Sequence, residues 1–222
     1  PSSNFSMSLR SFTDYSGEVV TIGEKPTLGI HNPAASMRMA MAEALTNMVS
    51  APIVGMDQIQ VSANWMAAAG ENIEDLALRK GVEALSNFSI DLGVSIPVGK
   101  DSLSMRTKWE EGNDQYVVKS PLSGVITAMA PVDDVRDAVT TLLKKDTDSQ
   151  LVLIKLNDKN RLGGSIFSEV YNQTVEETPD VDSAEIFIKM FKLTQSLIKE
   201  GSIDALHDVS DGGLVSAICE LA

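Results

Sequence analysis

Residues 96–106 read Ile-Pro-Val-Gly-Lys-Asp-Ser-Leu-Ser-Met-Arg, which crowds a cation, a carboxylate and two hydroxyls into one short stretch. Val94, Ile96 and Val98 predict a short strand that breaks at Gly99 into a loop. Glycine accepts backbone angles that other residues resist. A strand ending in Gly99-Lys100-Asp101-Ser102 can therefore turn its N–H groups and the Lys100 ammonium toward one point, suited to a phosphate or a polarised carbonyl. On chemistry alone the same residues also describe a solvated hairpin loop. They do not form a Walker A loop, whose lysine follows two glycines with four residues between them.

A second cluster is His207-Asp208-Val209-Ser210-Asp211-Gly212-Gly213. A short strand over 203–206 is expected to deliver it to the start of a final helix. Strand, Gly-rich turn and helix N-terminus together offer unpaired N–H groups and a partial positive charge, a seat for a phosphate. Asp208 and Asp211 could hold the counter-cation of a polyphosphate; Asp211 alone also reads as the helix N-cap. No Ser-His-Asp or zinc spacing exists in the chain.

A third pair lies on a helix predicted over about 34–50, opened by Asn32 as cap and Pro33 at the first position. Met37, Met41, Ala44, Leu45 and Met48 recur at helical spacing and form a core stripe. Glu43 and Asn47, four apart, project side by side on another side of the helix. A carboxylate and an amide oxygen so placed can both reach a hard cation such as Mg²⁺; equally, they describe a solvated face.

The elements that must carry these groups follow from the rest of the pattern. Strands are expected over 5–12, 19–22 and 58–63, the last leading to Asn64-Trp65, where the Asn either forms a turn or presents an amide at a cleft. A long helix over 72–92 turns Leu78, Val82, Leu85, Phe88 and Leu92 inward and stops at Gly93. A charged hairpin tip at 110–114 separates strands, with further strands over 116–119 and 125–130. Pro131-Val-Asp-Asp marks a boundary between parts 1–131 and 132–222. Beyond it come a Lys144-Lys145-Asp146 connector, a buried strand over 151–156, a short helix after Gly163-Gly164, and a helix over 183–200 with Ile186, Met190, Leu193 and Leu197 on one face. This order is α/β or α+β with a mostly antiparallel finish.

With 222 residues, 43% hydrophobic and 22% charged, the chain has the composition of a globular protein of one large or two modest domains. A net charge of -13 excludes nucleic-acid backbones as expected partners. No apolar run reaches the ~20 residues of a membrane span, so no membrane partner is expected either. The single Cys219 excludes an internal disulfide, fits a reducing cytoplasm, and falls in an apolar run that predicts a buried thiol. The first residue is Pro1 and the last helix has no stop signal, so both ends read as cut from a longer chain.

Glu-Ala-Leu-Thr-Asn (43–47), Ser-Ala-Asn-Trp-Met-Ala-Ala-Ala-Gly-Glu (62–71), Pro-Val-Gly-Lys-Asp-Ser-Leu-Ser-Met (97–105) and His-Asp-Val-Ser-Asp-Gly-Gly (207–213) occur in an order and spacing that closely resemble one family. It is the large, single-chain phosphoribosylformylglycinamidine synthase, or formylglycinamide ribonucleotide amidotransferase. The resemblance covers most of the chain and matches the second of two synthetase repeats of the aminoimidazole-ribonucleotide-synthetase type: an N-terminal α/β domain (1–131) and part of a C-terminal α/β domain (132–222). Related stand-alone synthetases and kinases of the same superfamily are disfavoured by the Asn-Trp-Met and Gly-Lys-Asp-Ser-Leu-Ser-Met segments.

The resemblance implies an ATP-dependent C–N ligase of purine biosynthesis with glutamine as amide donor. Its other parts, a first synthetase repeat and a glutaminase domain, would be this chain's partners; Cys219 does not match the glutaminase nucleophile. In the family the second repeat holds ADP with Mg²⁺ as structural support. By motif match Glu43, Asn47 and Asp208 would be the magnesium ligands, with Asp211, Gly212 and Gly213 beside the nucleotide. The family has an aspartate near position 4, where this chain has Asn4; an amide oxygen ligates without charge, which leaves either a weaker site or a different register there. Asn64 and Gly99, Lys100, Asp101 and Ser102 would contribute to the substrate cleft. The superfamily pairs such domains across a sheet, so the chain is expected to form a homodimer, inactive alone. The other reading, from a different class, is a non-catalytic, nucleotide-stabilised dimerisation module.

Overall fold

The computed structural model describes residues 3–144, 148–173 and 175–222. One five-stranded sheet organises the N-terminal part, in the order β1 (Ser6–Leu9), β2 (Gly17–Gly23), β7 (Ser123–Val132), β3 (Gln60–Met66), β4 (Ser95–Ser102). All neighbours are antiparallel except β3 and β4. That parallel pair needs a crossover, and α3 (Asn72–Leu92) supplies it. A separate hairpin, β5 (Arg106–Glu111) and β6 (Asp114–Lys119), turns at Gly112, whose φ of 63° is left-handed.

Alternation along the strands decides which face is covered. Val19 and Thr21 of β2, Val61 and Ala63 of β3, and Ile126, Ala128 and Ala130 of β7 are buried. They meet the stripe of α2 (Pro33–Met48), where Met37, Met41, Ala44, Leu45 and Met48 are fully buried as expected. The other face is only partly covered: Ile22, Val98 and Met129 stay exposed. The α2 cap is the expected one, with Asn32 Oδ1 accepting from the Ala35 N–H at 3.1 Å. Gly93 ends α3 in the left-handed conformation at φ 68°.

Several expectations are corrected. β4 does not break at Gly99 but runs on to Ser102, because Ala63 to Met66 continue to pair with Gly99 to Ser102. Gly99 serves close approach: a Cβ there would collide with the Ala63 carbonyl. Likewise Asn64 and Trp65 lie within β3 and not at a turn after it. An additional helix, α1 (Pro26–His31), precedes α2. Val82 of α3 is 43% exposed, since Gly81, Ala84, Leu85, Phe88 and Leu92 form the buried side.

The C-terminal part carries α4 (Ile166–Val170), α5 (Ala184–Lys199) and α6 (Gly213–Leu221), and among the described residues no strand follows β7. The segments expected as strands at 151–156 and 203–206 are irregular. Leu151 and Val152 are 63% and 74% exposed. A strand needs a neighbour for its N–H and C=O groups, and no described strand runs beside these two. On α5 the buried side is Phe187, Phe191, Thr194, Gln195 and Ile198, one step round from the expected face, so Ile186 and Leu193 are exposed. Phe187 and Phe191 belong to the same core as α2 and α3, and Phe187 meets Phe88 edge-on at 6.2 Å. Cys219 is exposed, not buried, because Ala217 and Leu221 form the inward side of α6. The Lys145-Asp146 part of the expected connector lies outside the described residues. Among the described residues no helix is long and apolar enough to cross a membrane.

Candidate functional site

Gly23 ends β2 directly beneath α2, where a Cβ would collide with the Ala40 carbonyl. That close approach sets the following residues, Glu24 and Lys25, against Glu43 on α2. The Glu24 N–H donates to Glu43 Oε2 at 2.7 Å, and the Lys25 ammonium to Oε1 at 2.5 Å. From the far end of the chain, the Ser210 hydroxyl donates to the same Oε1 at 2.9 Å. Glu43 is thus one of the points where the two parts of the chain meet.

Around it lies a cleft of about 280 Å³. Lys25, Glu43, Asp208 and Ser210 line it, together with Lys159, Arg161, Asp180 and Asp182. Phe187 and Leu156 supply apolar wall. Burial pushes the Asp208 carboxyl above its ordinary value; the neighbouring His207 pulls it back, Glu43 adds repulsion, and Lys25 eases it. His207 Nδ1 sits 3.3 Å from Asp208 Oδ1, and its Nε2 sits 2.8 Å from Glu220 Oε2 on α6. Arg161 donates to Asp182 at 2.9 Å and to the Asp180 carbonyl at 2.8 Å, which ties these lining residues together.

The residues singled out in the sequence divide into two groups. Glu43 and Asp208, 165 positions apart in the sequence, share the cleft. Asp211 reaches it through Lys25, whose Nζ lies 3.5 Å from Asp211 Oδ1. Asp211 is not the helix cap: Gly212 at φ 89° takes that position, with no side-chain cap bond. Gly213 follows with φ 71° and opens α6. Asn47, one turn along α2, donates its amide to the Ile22 carbonyl at 3.0 Å and does not line the cleft. Asn4 stands before β1, with its Nδ2 buried and without a hydrogen-bond partner. Among the described residues no group of three His, Cys, Asp or Glu side chains could hold a metal.

The second group sits on the edge of the sheet. Asn64 and Lys100 are register partners, so they share a face, and Lys100 Nζ donates to Ser102 Oγ at 3.1 Å. Asp101 pairs in register with Trp65, and strand alternation puts it on the opposite face. Cation and carboxylate therefore do not converge as a loop would have allowed. None of Asn64, Gly99, Lys100, Asp101 and Ser102 lines the charged cleft.

The participants missed in the sequence are Lys25 and Ser210 beside Glu43, and Lys159, Arg161, Asp180 and Asp182 elsewhere in the cleft lining. The signal for Lys25 was the Gly23-Glu24-Lys25-Pro26 run, where a charged pair stands between a strand end and a helix-starting proline. Ser210 stood inside the 207–213 cluster and was passed over for its carboxylates.

The α/β unit and the helical part that follows it thus share one charged cleft. The chain belongs to the FGAR-AT PurM_N-like family, whose model matches residues 1–131. Residues 148–222 match the C-terminal domain of AIR synthase related proteins. Among solved structures, Thermotoga maritima PurL complexed with FGAR is 12% identical with a TM-score of 0.65, covering 95% of this chain and 32% of that one. T. maritima PurL complexed with ADP is 13% identical with a TM-score of 0.60, covering 100% and 31%. The HypE–HypF complex is 13% identical with a TM-score of 0.54, covering 98% and 63%. At these identities the likeness is one of fold, and the chain spans about a third of the length of the PurL chains it matches.

Proposed function

We propose that this chain serves a formylglycinamide ribonucleotide amidotransferase as the second synthetase repeat, carrying a magnesium–nucleotide site and part of the substrate cleft. The reaction would be the ATP- and glutamine-dependent conversion of formylglycinamide ribonucleotide to formylglycinamidine ribonucleotide. Its partners would be the first synthetase repeat and the glutaminase domain, in a reducing cytoplasm. The observation that carries the nucleotide site is the meeting of Glu43 and Asp208 in one cleft beside the Gly212-Gly213 turn. Burial pushes the Asp208 carboxyl up and Glu43 adds to that, so a further cation beside the two acids would be favoured. The carboxylate oxygens of Glu43 and Asp208 are of the kind a hard divalent cation takes, and the N-terminus of α6 is of the kind that takes a diphosphate. When bound, magnesium would neutralise phosphate charge; Glu43 and Asp208 would hold it from the cleft, and Asn47 and Asn4, which lie outside the cleft lining, would join them only by turning toward it. Gly212 and Gly213 would offer backbone N–H groups, and Asp211 would stand at the rim. Asn64, Lys100 and Ser102 on one face of β3 and β4, and Gly99 and Asp101 on the other, would contribute to the substrate cleft.

Calorimetric titration of ADP, with and without Mg²⁺, tests the site in the intact protein. Glu43→Gln and Asp208→Asn should each weaken Mg²⁺-dependent ADP binding by about tenfold or more and abolish the melting-temperature gain that ligand binding brings. Unchanged nucleotide affinity and unchanged melting temperature in both variants would overturn the reading.

A second reading, a nucleotide-stabilised pairing module without chemistry of its own, draws on the half-covered sheet face. Ile22 and Met129, 55% and 38% exposed, lie on that face with Val98. Such a face favours pairing with a second copy or a sister repeat. Sedimentation should show a homodimer that Ile22→Glu converts to monomer; a wild-type monomer at tens of micromolar (about the range where weak interfaces populate) would count against it.

A further inference from the structure

We propose that a second pocket, between α5 and the residues that join α2 to β3, binds an elongated apolar molecule with one anionic head, of the alkyl carboxylate kind. The pocket shares no lining residue with the charged cleft, and its assignment does not depend on the magnesium–nucleotide reading.

The pocket holds about 590 Å³, within the ~300–1,000 Å³ that small-molecule sites span. Its apolar lining is Ile53, Val54, Met56, Leu92, Ile188 and Phe191. Ile53, Leu92 and Phe191 belong to the main core, while Val54 is 47% exposed. This lining is fixed before any ligand arrives. Gln195, buried in it, spends its amide on the Val49 and Ala51 carbonyls and its oxygen on the Ile53 N–H. An apolar body can therefore displace water here without competing for those hydrogen bonds.

Charge selects the head. The chain carries a net charge of -13, yet this lining sets two lysines, Lys192 and Lys199, against one acid, Asp57. Both lysines are exposed, and among the described residues neither enters an ion pair. Lys189 on the same helix shows the contrast, pairing with Glu185 at 2.6 Å. Asp57 Oδ2 accepts from the Gln58 side chain at 3.0 Å. Lys192 and Lys199 stand on one side of α5, about 10 Å apart along its axis. Their flexible stems let both ammoniums reach a single anion between them. Ile188 and Phe191 precede them on the helix, so α5 offers apolar surface first and cation at its far end. A lone small anion would leave the apolar surface wet, and a neutral hydrocarbon would leave both ammoniums unused. A molecule with both parts satisfies the whole lining.

Calorimetric titration of the intact protein with octanoate, octanol and acetate tests both parts of the recognition. Octanoate should bind about tenfold tighter than either of the others. From hexanoate to decanoate its affinity should rise about fourfold for each two methylenes, half the free energy of full burial. Lys192→Gln combined with Lys199→Gln should cut octanoate affinity about tenfold and leave octanol binding unchanged. Both side chains are exposed, so the fold is not at stake. Amide resonances of Ile53, Val54 and Met56 should move with octanoate and stay in place with acetate. Octanol that binds as tightly as octanoate, or an octanoate affinity that the double variant keeps, overturns the proposal. So does the absence of octanoate binding at about 1 mM, the weak end of specific recognition. A second copy of the chain in the pocket, seen as octanoate affinity that falls with rising protein concentration, also overturns it.

Discussion

Arg38 donates from Nε and Nη2 to the two carboxylate oxygens of Asp180, at 2.7 and 2.6 Å. This two-pronged pair ties α2 of the N-terminal part to the wall that leads into α5. The side chains are 27% and 20% exposed, so the pair is only partly screened. Replacing Arg38 by Met should destabilise the protein by about 2 kcal/mol in urea unfolding, mainly because Asp180 is left without its partner. Arg38→Lys should recover only part of that, since a point charge cannot reproduce the fork. Full recovery by lysine would show that charge alone matters there.

Gln195 of α5 should prove as costly. It is buried and donates to the Val49 and Ala51 carbonyls at 2.6 and 2.7 Å, while its oxygen accepts from the Ile53 N–H at 3.1 Å. Gln195→Leu fills the space but leaves the Val49 carbonyl without its donor, while the Ile53 N–H and the Ala51 carbonyl keep only the 2.8 Å bond they share, for a loss of about 2 kcal/mol. Hydrogen exchange at the Ile53 amide should accelerate in parallel. A stability within about 0.5 kcal/mol of wild type, the range of an ordinary surface change, would mean that this junction does not hold the two parts together.

Gly99 separates a packing role from a loop role. Gly99→Ala would press a methyl against the Ala63 carbonyl and should displace β4 from β3, at a cost of about 1–3 kcal/mol. If the glycine served a turn instead, alanine would leave the Asn64–Lys100 pairing in place. Amide exchange along Ser95–Ser102 distinguishes the two outcomes.

The pH dependence of one surface contact follows from Asp134. Arg136 donates to it through the side chain and the backbone N–H, and holds its carboxyl down from 3.8 to about 2. Between those values the folded state binds fewer protons than the unfolded chain, so stability rises with pH. The contribution is present above about 4 and lost as pH falls toward about 2. Arg136→Ala should return the Asp134 titration, followed by carboxyl NMR, toward its ordinary value. The same change removes the guanidinium from the Tyr15 ring, 3.6 Å from its centroid, so Tyr15 shifts should move too.

Local chemistry settled much of this molecule in advance. The Met37-to-Met48 stripe, the Asn32-Pro33 helix start and the Gly93 stop depend on neighbours within a few residues, and each was legible from spacing alone. Glu43 and Asp208 were legible as chemistry, but not as a pair, because nothing in the sequence says which of 222 residues meet in space. Long-range pairing decided the rest. β4 continues through Gly99 because β3 lies beside it, whereas Leu151 to Leu156, with an equally strand-like composition, has no described strand beside it and stays irregular. The buried side of α5 was set by Phe88 and the α2 core, which favoured Phe187 and Phe191 over the equally apolar Ile186 and Leu193. Lys25 became part of the cleft only because α2 packs so closely on Gly23 that the next residues fall against Glu43. The sequence determined which groups could do chemistry; the tertiary structure decided which of them share a charge, since electrostatic coupling depends on distance in space and not on distance along the chain.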